Sequence, residues 1–254
     1  MEMNPKILLG CPTFEGKKYC LSEFAEGIRN MSYKNFDVLL VENSKTDNYY
    51  NEIKSRGLPV ARDVFLETAK ERIVHSRNLL REKVLNEGYD YLFSLEQDVV
   101  APKDVLQRLL AHNKKIITGL YFKYEIINDK MQMSPLIYKA LTADSIRELT
   151  EGEHGEEVIE EMKRNGIFDS QLRIPFTFEQ VEEPRLMKID FCGLGCILIH
   201  RDVLENIRFR ADIRSFDDMF FCEDARTAGY EIWADTSVKC RHFLSEQSWK
   251  NIKM

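Results

Sequence analysis

Two groups of carboxylates have the spacing that metal binding or proton transfer requires. The first is Leu95-Glu96-Gln97-Asp98, at the end of an apolar run. Carboxylates at such a place can hold Mg²⁺ or Mn²⁺ against a diphosphate, although a solvated acidic turn has the same composition. The second is Asp217-Asp218, and a carboxylate pair in a cleft can serve as a general base. A helix dipole would also favour two acidic residues at a helix start, and Glu223 and Asp224 beyond them look like solvated helix surface.

Single residues elsewhere could join these carboxylates. His242 follows the last predicted strand and could bind a metal, although a lone histidine is more often a surface residue. Arg72 and Arg77 could face a diphosphate through charge-assisted hydrogen bonds, or they could be solvated arginines of an amphipathic helix. Gly193 and Gly195 precede a strand, so they are not a dinucleotide fingerprint. They would allow the backbone to approach a ligand or a neighbouring segment closely.

Short apolar runs and segments of helical periodicity alternate through the first half of the chain. The strands predicted there are Lys6–Cys11, Phe36–Val41, Val60–Leu66, Tyr89–Leu95 and Lys115–Tyr121. The helices predicted there are Tyr19–Met31, Glu71–Leu85 and one that begins at Pro102. Such alternation predicts a mainly parallel sheet with helices on both faces. Ligands bind at the carboxyl ends of such strands, so chemistry is expected just after Cys11, Val41 and Leu95.

The pattern breaks between residues 123 and 185, where an acidic stretch runs from Glu148 to Glu161. This region is predicted to be an insertion with a short helix and mobile loops. The regular pattern resumes at Leu186. The elements predicted after it are a strand over Gly193–Ile199, a helix over Phe216–Ala228, and strands over Tyr230–Ala234 and Ser237–Lys239.

Composition excludes several classes of protein. The chain has 254 residues, a net charge of -6 and a pI of about 5.6, which argues against nucleic-acid binding. Its six cysteines form no CxxC pair and are predicted to be free, mostly buried thiols in a reducing compartment. Cys192 and Cys196 could be half of a zinc site, but a second half is missing. No signal peptide or membrane span is apparent. A cytoplasmic location is expected, with peripheral membrane attachment through the insertion left open.

Motifs in chain order carry a resemblance to a known family. They are Val41-Glu42-Asn43-Ser44-x-Thr46-Asp47, Ser76-Arg77-Asn78, Tyr89-Asp90-Tyr91-Leu92-Phe93-x-Leu95-Glu96-Gln97-Asp98, Gly193-x-Gly195-Cys196-x-Leu198-Ile199-x-Arg201, the segment from Asp217-Asp218 to Gly229-Tyr230, and His242. No single motif is specific, but their order resembles family 2 and related GT-A glycosyltransferases, over roughly residues 5–122 and 186–243. The resemblance implies an α/β fold of the GT-A type, with a mainly parallel central sheet flanked by helices.

The resemblance also implies residue roles. Asp98 matches the last carboxylate of the family's Asp-x-Asp motif, which binds Mn²⁺ or Mg²⁺, and His242 matches a further metal contact. Glu96 stands where the first Asp of that motif usually is, so it could contact the metal through water or the ribose. Asp218 matches the catalytic base, and Asp217 replaces the usual Glu before it.

The other implied roles concern the two substrates. Glu42 matches the residue that hydrogen-bonds the base or ribose, in a pocket that Pro12 and Thr13 also line. Arg72, Arg77 and Gln97 are further nucleotide-binding candidates. The strand that contains Gly193 and Gly195 would lie beside the acceptor.

The resemblance thus implies a metal-dependent glycosyltransferase. It would move a sugar from a UDP- or GDP-sugar to a hydroxyl of a glycan, lipid or protein acceptor, with inversion expected from an Asp base. The chain is expected to be one domain over 1–254, with a donor half over 1–122, an insertion over 123–185 and an acceptor half over 186–254.

Two alternatives remain. A nucleotidyltransferase that makes nucleotide sugars usually has a glycine-rich basic loop after the first strand, and Cys11–Lys18 contains only one glycine. A non-catalytic nucleotide-sugar or glycan-binding module would tolerate Glu96, but Asp98, Asp218 and His242 argue against it.

Overall fold

The computed structural model describes residues 4–127, 130–150, 154–167 and 171–244. Within these residues the strands are β1 (Ile7–Thr13), β2 (Phe36–Glu42), β3 (Val60–Arg62), β4 (Tyr91–Leu95), β5 (Val99–Val100), β6 (Ile116–Leu120), β7 (Phe122–Ile127), β8 (Lys130–Pro135), β9 (Ile137–Ala140), β10 (Arg173–Pro175), β11 (Leu186–Ile189), β12 (Phe191–Cys192), β13 (Cys196–His200), β14 (Ile232–Lys239) and β15 (Arg241–His242). The α-helices are α1 (Leu21–Arg29), α2 (Asn48–Ser55), α3 (Ala69–Asn86), α4 (Val105–Ala111), α5 (Ala143–Thr150), α6 (Gly155–Arg164), α7 (Arg201–Asn206) and α8 (Asp217–Thr227).

An eight-stranded sheet forms the centre of the molecule, in the order β11-β14-β6-β13-β4-β1-β2-β3. β1 pairs in parallel with β2 and β4, and β2 pairs in parallel with β3. β6 and β14 are also parallel, whereas β13 is antiparallel to both of its neighbours, β4 and β6. β11 is antiparallel to β14 at the edge. The sheet is therefore mainly parallel, as the sequence predicted.

Helices cover both faces of this sheet. Leu8 of β1 belongs to the core that contains Leu80 and Val84 of α3. Its neighbours Ile7 and Leu9 belong to the opposite core, which contains Phe24 of α1. Because successive side chains of a strand point to opposite faces, both sides of β1 are buried. This double burial is why the strand appears in the sequence as a continuous apolar run.

Helix α3 carries polar side chains into the sheet, and both of its ends are well defined. The Thr68 hydroxyl accepts a hydrogen bond from the Glu71 backbone N–H, and the Glu71 carboxylate accepts one from the Thr68 N–H. This capping box fixes the first turn. Gly88 has φ of 70° just beyond the last turn, a conformation that commonly ends helices. Because the first turn is fixed, the residues of α3 that face inward are also fixed, and Arg77 is one of them.

The region from 123 to 185 corrects the prediction of a short helix and mobile loops. Among its described residues it contains the β7–β8 hairpin, helices α5 and α6, and strand β9, which pairs with β10 and β12. These strands have at most six residues, and β12 lies far from β9 in sequence, so local periodicity does not reveal them. The acidic stretch Glu148–Glu161 spans the end of α5 and most of α6, and its residues 151–153 lie outside the described residues.

Some predicted bounds were also wrong. The strand predicted over Val60–Leu66 ends at Arg62. The two late strands are the single strand β14, which continues through Asp235 and Thr236 with a register shift against β6. Pro102 lies ahead of α4, in a turn in which its carbonyl accepts from the Val105 N–H.

The cysteines are free and buried, as predicted. Cys192 lies beside Cys222, with the two sulfur atoms 4.0 Å apart. In the part of the chain that the structure describes, no group of three histidine, cysteine or acidic side chains forms a metal site, so the zinc interpretation of Cys192 and Cys196 has no support. None of the described helices combines the length and the apolar character that crossing a bilayer requires.

Candidate active site

The two carboxylate groups meet at one end of the central sheet. Glu96 and Asp98 follow the carboxyl end of β4, and the Glu96 N–H donates to the Gly195 carbonyl oxygen at 3.0 Å. Because β13 is antiparallel to β4, its glycine-rich entry lies at this same end. Helix α3 connects this end of the sheet to the N-terminus of α8, which carries Asp217 and Asp218.

Arg77 of α3 makes that connection. Its side chain is 2% exposed, and its Nη1 atom donates to the Ser94 hydroxyl at 2.6 Å. Its Nη2 atom lies 2.9 Å from Glu96 Oε1, and its Nε atom lies 2.5 Å from Asp217 Oδ2. A buried guanidinium requires such partners because an uncompensated buried charge is costly. The charge of Arg77 is thus used inside the protein, and a contact with a diphosphate stays a prediction.

The two adjacent aspartates of α8 have different surroundings. Asp217 is buried and neutralised by Arg77. Asp218 is partly exposed, and its Oδ1 atom accepts from the Met219 N–H at 2.8 Å. Burial, with a further contribution from the negative charge of Asp217, raises the pKa of Asp218 to about 7. A carboxylate with that pKa can accept a proton near neutral pH. Asp218 is thus the residue suited to proton transfer, and the pairing of Asp217 with Arg77 gives it a structural role.

Asp98 is almost fully buried and has one satisfied oxygen and one unsatisfied oxygen. Its Oδ2 atom accepts from the Lys17 ammonium and lies 3.5 Å from His242 Nε2. Its Oδ1 atom is buried without a hydrogen-bond partner. Burial opposes ionisation, but His242 and Lys17 outweigh it and hold the pKa of Asp98 below its ordinary value. The carboxylate is therefore charged and has a free lone pair.

His242 is fixed in place by strand β15. The strand pairs antiparallel with β5, which sets His242 opposite Val99, next to Asp98. The His242 Nδ1 atom lies 2.7 Å from the Phe122 carbonyl oxygen, which can only accept, so Nδ1 carries a proton. The ring also packs edge-on against Tyr121, with centroids 5.3 Å apart. Nε2 is left facing Asp98, and a backbone carbonyl behind the other nitrogen is the usual support of a metal-binding histidine.

These residues fit a divalent cation only in part. Within the described ranges no three histidine, cysteine or acidic side chains converge on one point. Glu96 in particular is turned toward Arg77, and its contact with the metal through water or with the ribose stays a prediction. Mg²⁺ and Mn²⁺, however, often take one or two protein ligands and complete their shell with water and substrate phosphates. Asp98, with its unpaired buried oxygen, and His242 could supply two ligands of that kind.

Gln97, Thr13 and Pro12 are predicted nucleotide-binding residues that lie close together. Gln97 is buried, and its amide contacts the hydroxyls of Thr13 and Tyr49 and donates to the Lys17 carbonyl oxygen at 2.5 Å. Gln97 therefore holds the segment after β1, and a contact with the nucleotide stays a prediction. Pro12 is partly buried beside Thr13 on the same strand.

Glu42 and Arg72 are also engaged with protein atoms. Glu42 is fully buried, accepts from the Ser44 N–H at 2.8 Å and lies 3.0 Å from Arg62 Nη1. Arg72 donates to the carbonyl oxygens of Leu66 and Glu67, ahead of its own helix. Its contacts thus lie in the loop before α3, apart from the contacts of Arg77.

Sequence reasoning missed Lys17, Tyr121 and Arg62. Lys17 lies in a short 3-10 helix over Glu15–Cys20, directly after β1. A basic residue just past the carboxyl end of a parallel strand was the available signal for it. Arg62 ends β3, beside Glu42 in the register of the sheet. Tyr121 had no local signal, because its contacts come from β15 and the glycine-rich entry of β13.

Gly193 and Gly195 make room for Tyr121. A Cβ atom at Gly193 would lie 2.0 Å from the Tyr121 hydroxyl oxygen, and one at Gly195 would lie 2.7 Å from Tyr121 Cζ. The Gly195 N–H also donates to that hydroxyl at 3.0 Å. Of the two interpretations of these glycines, close approach to a neighbouring segment is therefore observed. Their acceptor-side role stays a prediction.

Gly193→Ala should lower the free energy of unfolding by roughly 1–3 kcal/mol, the usual cost of overpacking a filled site. In the Tyr121→Phe background the cost should be smaller, because the hydroxyl nearest the new methyl group is absent. Urea unfolding of the wild type, both single variants and the double variant would measure this coupling. Strictly additive costs would show that the Tyr121 hydroxyl is not the source of the strain.

Comparison with solved structures identifies the fold. GalNAc-T7, solved with UDP, GalNAc and Mn²⁺, has a TM-score of 0.66 and 11% identity, and the match covers 98% of this chain and 46% of that chain. TarS 1-349 from S. aureus, solved with UDP-GlcNAc, has a TM-score of 0.51 and 12% identity, covering 98% and 62%. Both are GT-A-like glycosyltransferases, so the chain has the GT-A fold.

The chain spans less than two thirds of each of these two solved chains. No protein-family model matches the sequence, and no curated protein matches it either. At such low identity the likeness establishes the fold and leaves the activity to the residues of the site.

Proposed function

We propose that this chain is a metal-dependent glycosyltransferase that moves a sugar from a nucleoside-diphosphate sugar to an acceptor hydroxyl. One observation carries the proposal most directly. Asp98, at the carboxyl end of the central strand β4, keeps a buried oxygen without a partner beside His242. A buried carboxylate oxygen without a partner, beside a histidine and at the carboxyl end of a parallel strand, supports a cation site there.

Asp98 and His242 would hold Mn²⁺ or Mg²⁺, which when bound would stabilise the negative charge that grows on the departing diphosphate. Glu96, which lies two positions before Asp98 and is held by Arg77, would contact the metal through water or the ribose of the donor. The two protein ligands alone give an incomplete shell, so the proposal requires donor and cation to bind together.

Asp218 would act as the base. The acceptor oxygen attacks the anomeric carbon, the bond from that carbon to the diphosphate oxygen breaks, and the hydroxyl proton passes to the Asp218 carboxylate. A pKa of about 7 suits this transfer near neutral pH. Asp217 and Arg77 fix the start of α8 and so fix the position of Asp218. An Asp base in this position supports inversion at the anomeric carbon.

A uridine nucleotide is the donor we propose. GalNAc-T7 was solved with UDP and Mn²⁺, and TarS with UDP-GlcNAc. The segment 1–122 would bind this donor, with Pro12, Thr13 and Glu42 close to the base and ribose. The segment 186–254 would carry Asp218 and, through Gly193 and Gly195, the acceptor side. The region 123–185, joined to it by the pairing of β9 with β12, would shape the acceptor site.

A thermal-shift series would test the proposal. UDP, GDP, CDP and dTDP would each be added with and without Mn²⁺, and UDP with Mn²⁺ is expected to raise Tm most. A ligand at about 100 times its Kd stabilises the folded state by about 2.7 kcal/mol. For a chain of this size, each kcal/mol of stabilisation raises Tm by roughly 2–4 °C. No shift with any nucleotide would contradict donor binding and favour a non-catalytic module.

A further inference from the structure

Lys17 lies beside Asp98 on the side that faces His242. Its ammonium donates to Asp98 Oδ2, the oxygen that also faces His242. The Lys17 side chain is 30% exposed, whereas the Asp98 side chain is 5% exposed. The charge of Asp98 is therefore neutralised by a flexible side chain that can withdraw into solvent.

The backbone that carries Lys17 is held firmly at this position. The Lys17 N–H donates to the Phe14 carbonyl oxygen at 2.9 Å, and the Lys17 carbonyl oxygen accepts from Gln97 Nε2 at 2.5 Å. Gln97 is next to Asp98 in sequence, so the two sides of the ion pair are fixed to each other. Only the four-carbon stem of the lysine needs to move when its partner changes.

We propose that Lys17 and a divalent cation are alternative counterions of Asp98. In the metal-free protein the ammonium compensates the buried carboxylate, which would otherwise be costly to bury. A cation held by both Asp98 and His242 would use Oδ2, the oxygen that faces His242, and would therefore displace the ammonium from that oxygen. This competition weakens metal binding in the absence of nucleotide. The diphosphate supplies the additional ligands that favour the metal. Lys17 thereby couples metal loading to donor binding, an inference that rests on the proposed function.

The neighbouring residue provides a matched control. Lys18 lies in the same short helix, but its ammonium is directed to Glu52, with the two atoms 2.7 Å apart, and its side chain is 63% exposed. Lys18→Met removes the same charge from the protein without touching Asp98. A general effect of net charge on Mn²⁺ binding would therefore appear equally in both variants.

The experiment is a Mn²⁺ titration of the nucleotide-free protein, followed through the electron paramagnetic resonance signal of free Mn²⁺. Lys17→Met is expected to bind Mn²⁺ about tenfold or more tightly than the wild type, because a competing charge close to the site is removed. Lys17→Gln should behave in the same way, and it keeps a hydrogen-bond donor if the methionine variant folds poorly. Lys17→Arg and Lys18→Met should stay close to the wild type. The Mn²⁺ binding that is lost in Asp98→Asn is the binding that belongs to this site.

Equal Mn²⁺ affinities in Lys17→Met, Lys17→Gln and the wild type would overturn the proposal, and so would the absence of any Asp98-dependent Mn²⁺ binding. A parallel titration with UDP separates this inference from the proposed function. If UDP binds but Mn²⁺ affinity is insensitive to Lys17, the counterion role fails while the donor site stands. If the Lys17 effect is present but no nucleotide binds, the counterion role stands and the proposed function fails.

Discussion

Replacing Asp218 with asparagine should lower kcat by about 10²–10⁴-fold, the usual contribution of a positioned general base. Asparagine has nearly the same shape but cannot take the acceptor proton. The Kd for UDP with Mn²⁺ should change little, because Asp218 lies on α8, whereas the proposed metal ligand Asp98 follows β4 and His242 lies in β15. Initial rates with a donor identified by thermal shift, together with calorimetric UDP binding, would measure the two quantities separately.

The pH dependence gives an independent test of Asp218. A carboxyl group can accept a proton only when it is ionised, so kcat should fall as the pH drops below the pKa of about 7. The asparagine variant should lack this limb of the profile. Stability should change in the opposite direction. Because the folded state raises this pKa, ionised Asp218 is disfavoured in the fold, so stability is lost as the pH rises from the ordinary range of a carboxyl to about 7 and changes no further above it.

Glu223→Gln is the control for Asp218. This residue is an acidic, partly exposed member of the same helix, and its removal changes the net charge by the same amount. It should leave kcat close to the wild-type value. Near-wild-type turnover in Asp218→Asn would instead move the base to another residue, and a loss of UDP binding in that variant would indicate a binding role.

Asp98→Asn should abolish the effect of Mn²⁺ on UDP binding. The variant loses the charge that would hold the cation, and His242 alone is a weak site for Mn²⁺ or Mg²⁺, which prefer oxygen ligands. We expect UDP affinity in the presence of Mn²⁺ to fall by roughly 10²-fold, the upper part of the range observed when metal-site support is removed. Isothermal titration with and without Mn²⁺ would measure the metal-dependent part directly.

The matched control for Asp98 is Asp104→Asn. Asp104 lies just ahead of α4, is half exposed and is 3.8 Å from Arg108. Its replacement should not alter the Mn²⁺ dependence. If Asp98→Asn retained that dependence, the cation would have to bind elsewhere. If it lost UDP binding equally with and without Mn²⁺, Asp98 would be holding the donor site together rather than the metal.

Local patterns were enough to predict most of the sheet. β1 and β4 are buried on both faces and β2 is buried in its second half, so their apolar runs were visible in the sequence. The position of β13 between β4 and β6 was not predictable, because it depends on pairing with strands far away in the chain. The short strands of 123–185 were missed for the same reason.

Residues of the candidate site were likewise predictable where a local pattern or a family resemblance indicated them, and not where they depend on contacts distant in sequence. Strand-end placement indicated Asp98, and resemblance to a family indicated His242 and Asp218. The sequence could not tell that Arg77 turns inward, because this depends on the rotation of α3 against the sheet and on two carboxylates from other elements. The contact of Lys17 with Asp98 likewise joins residues 81 positions apart.

The antiparallel strand β13 also has a consequence for how the chain folds. β4 and β6 lie close together in sequence, but they are not neighbours in the sheet, and the space between them is filled only when residues 196–200 arrive. Until then each would present an unpaired edge, the feature that promotes intermolecular association. Pairings of such long sequence separation also slow folding. A nascent chain of this protein therefore passes through a stage in which the centre of its sheet is open, and the site is completed later still, because Asp218 and His242 follow β13 in the chain.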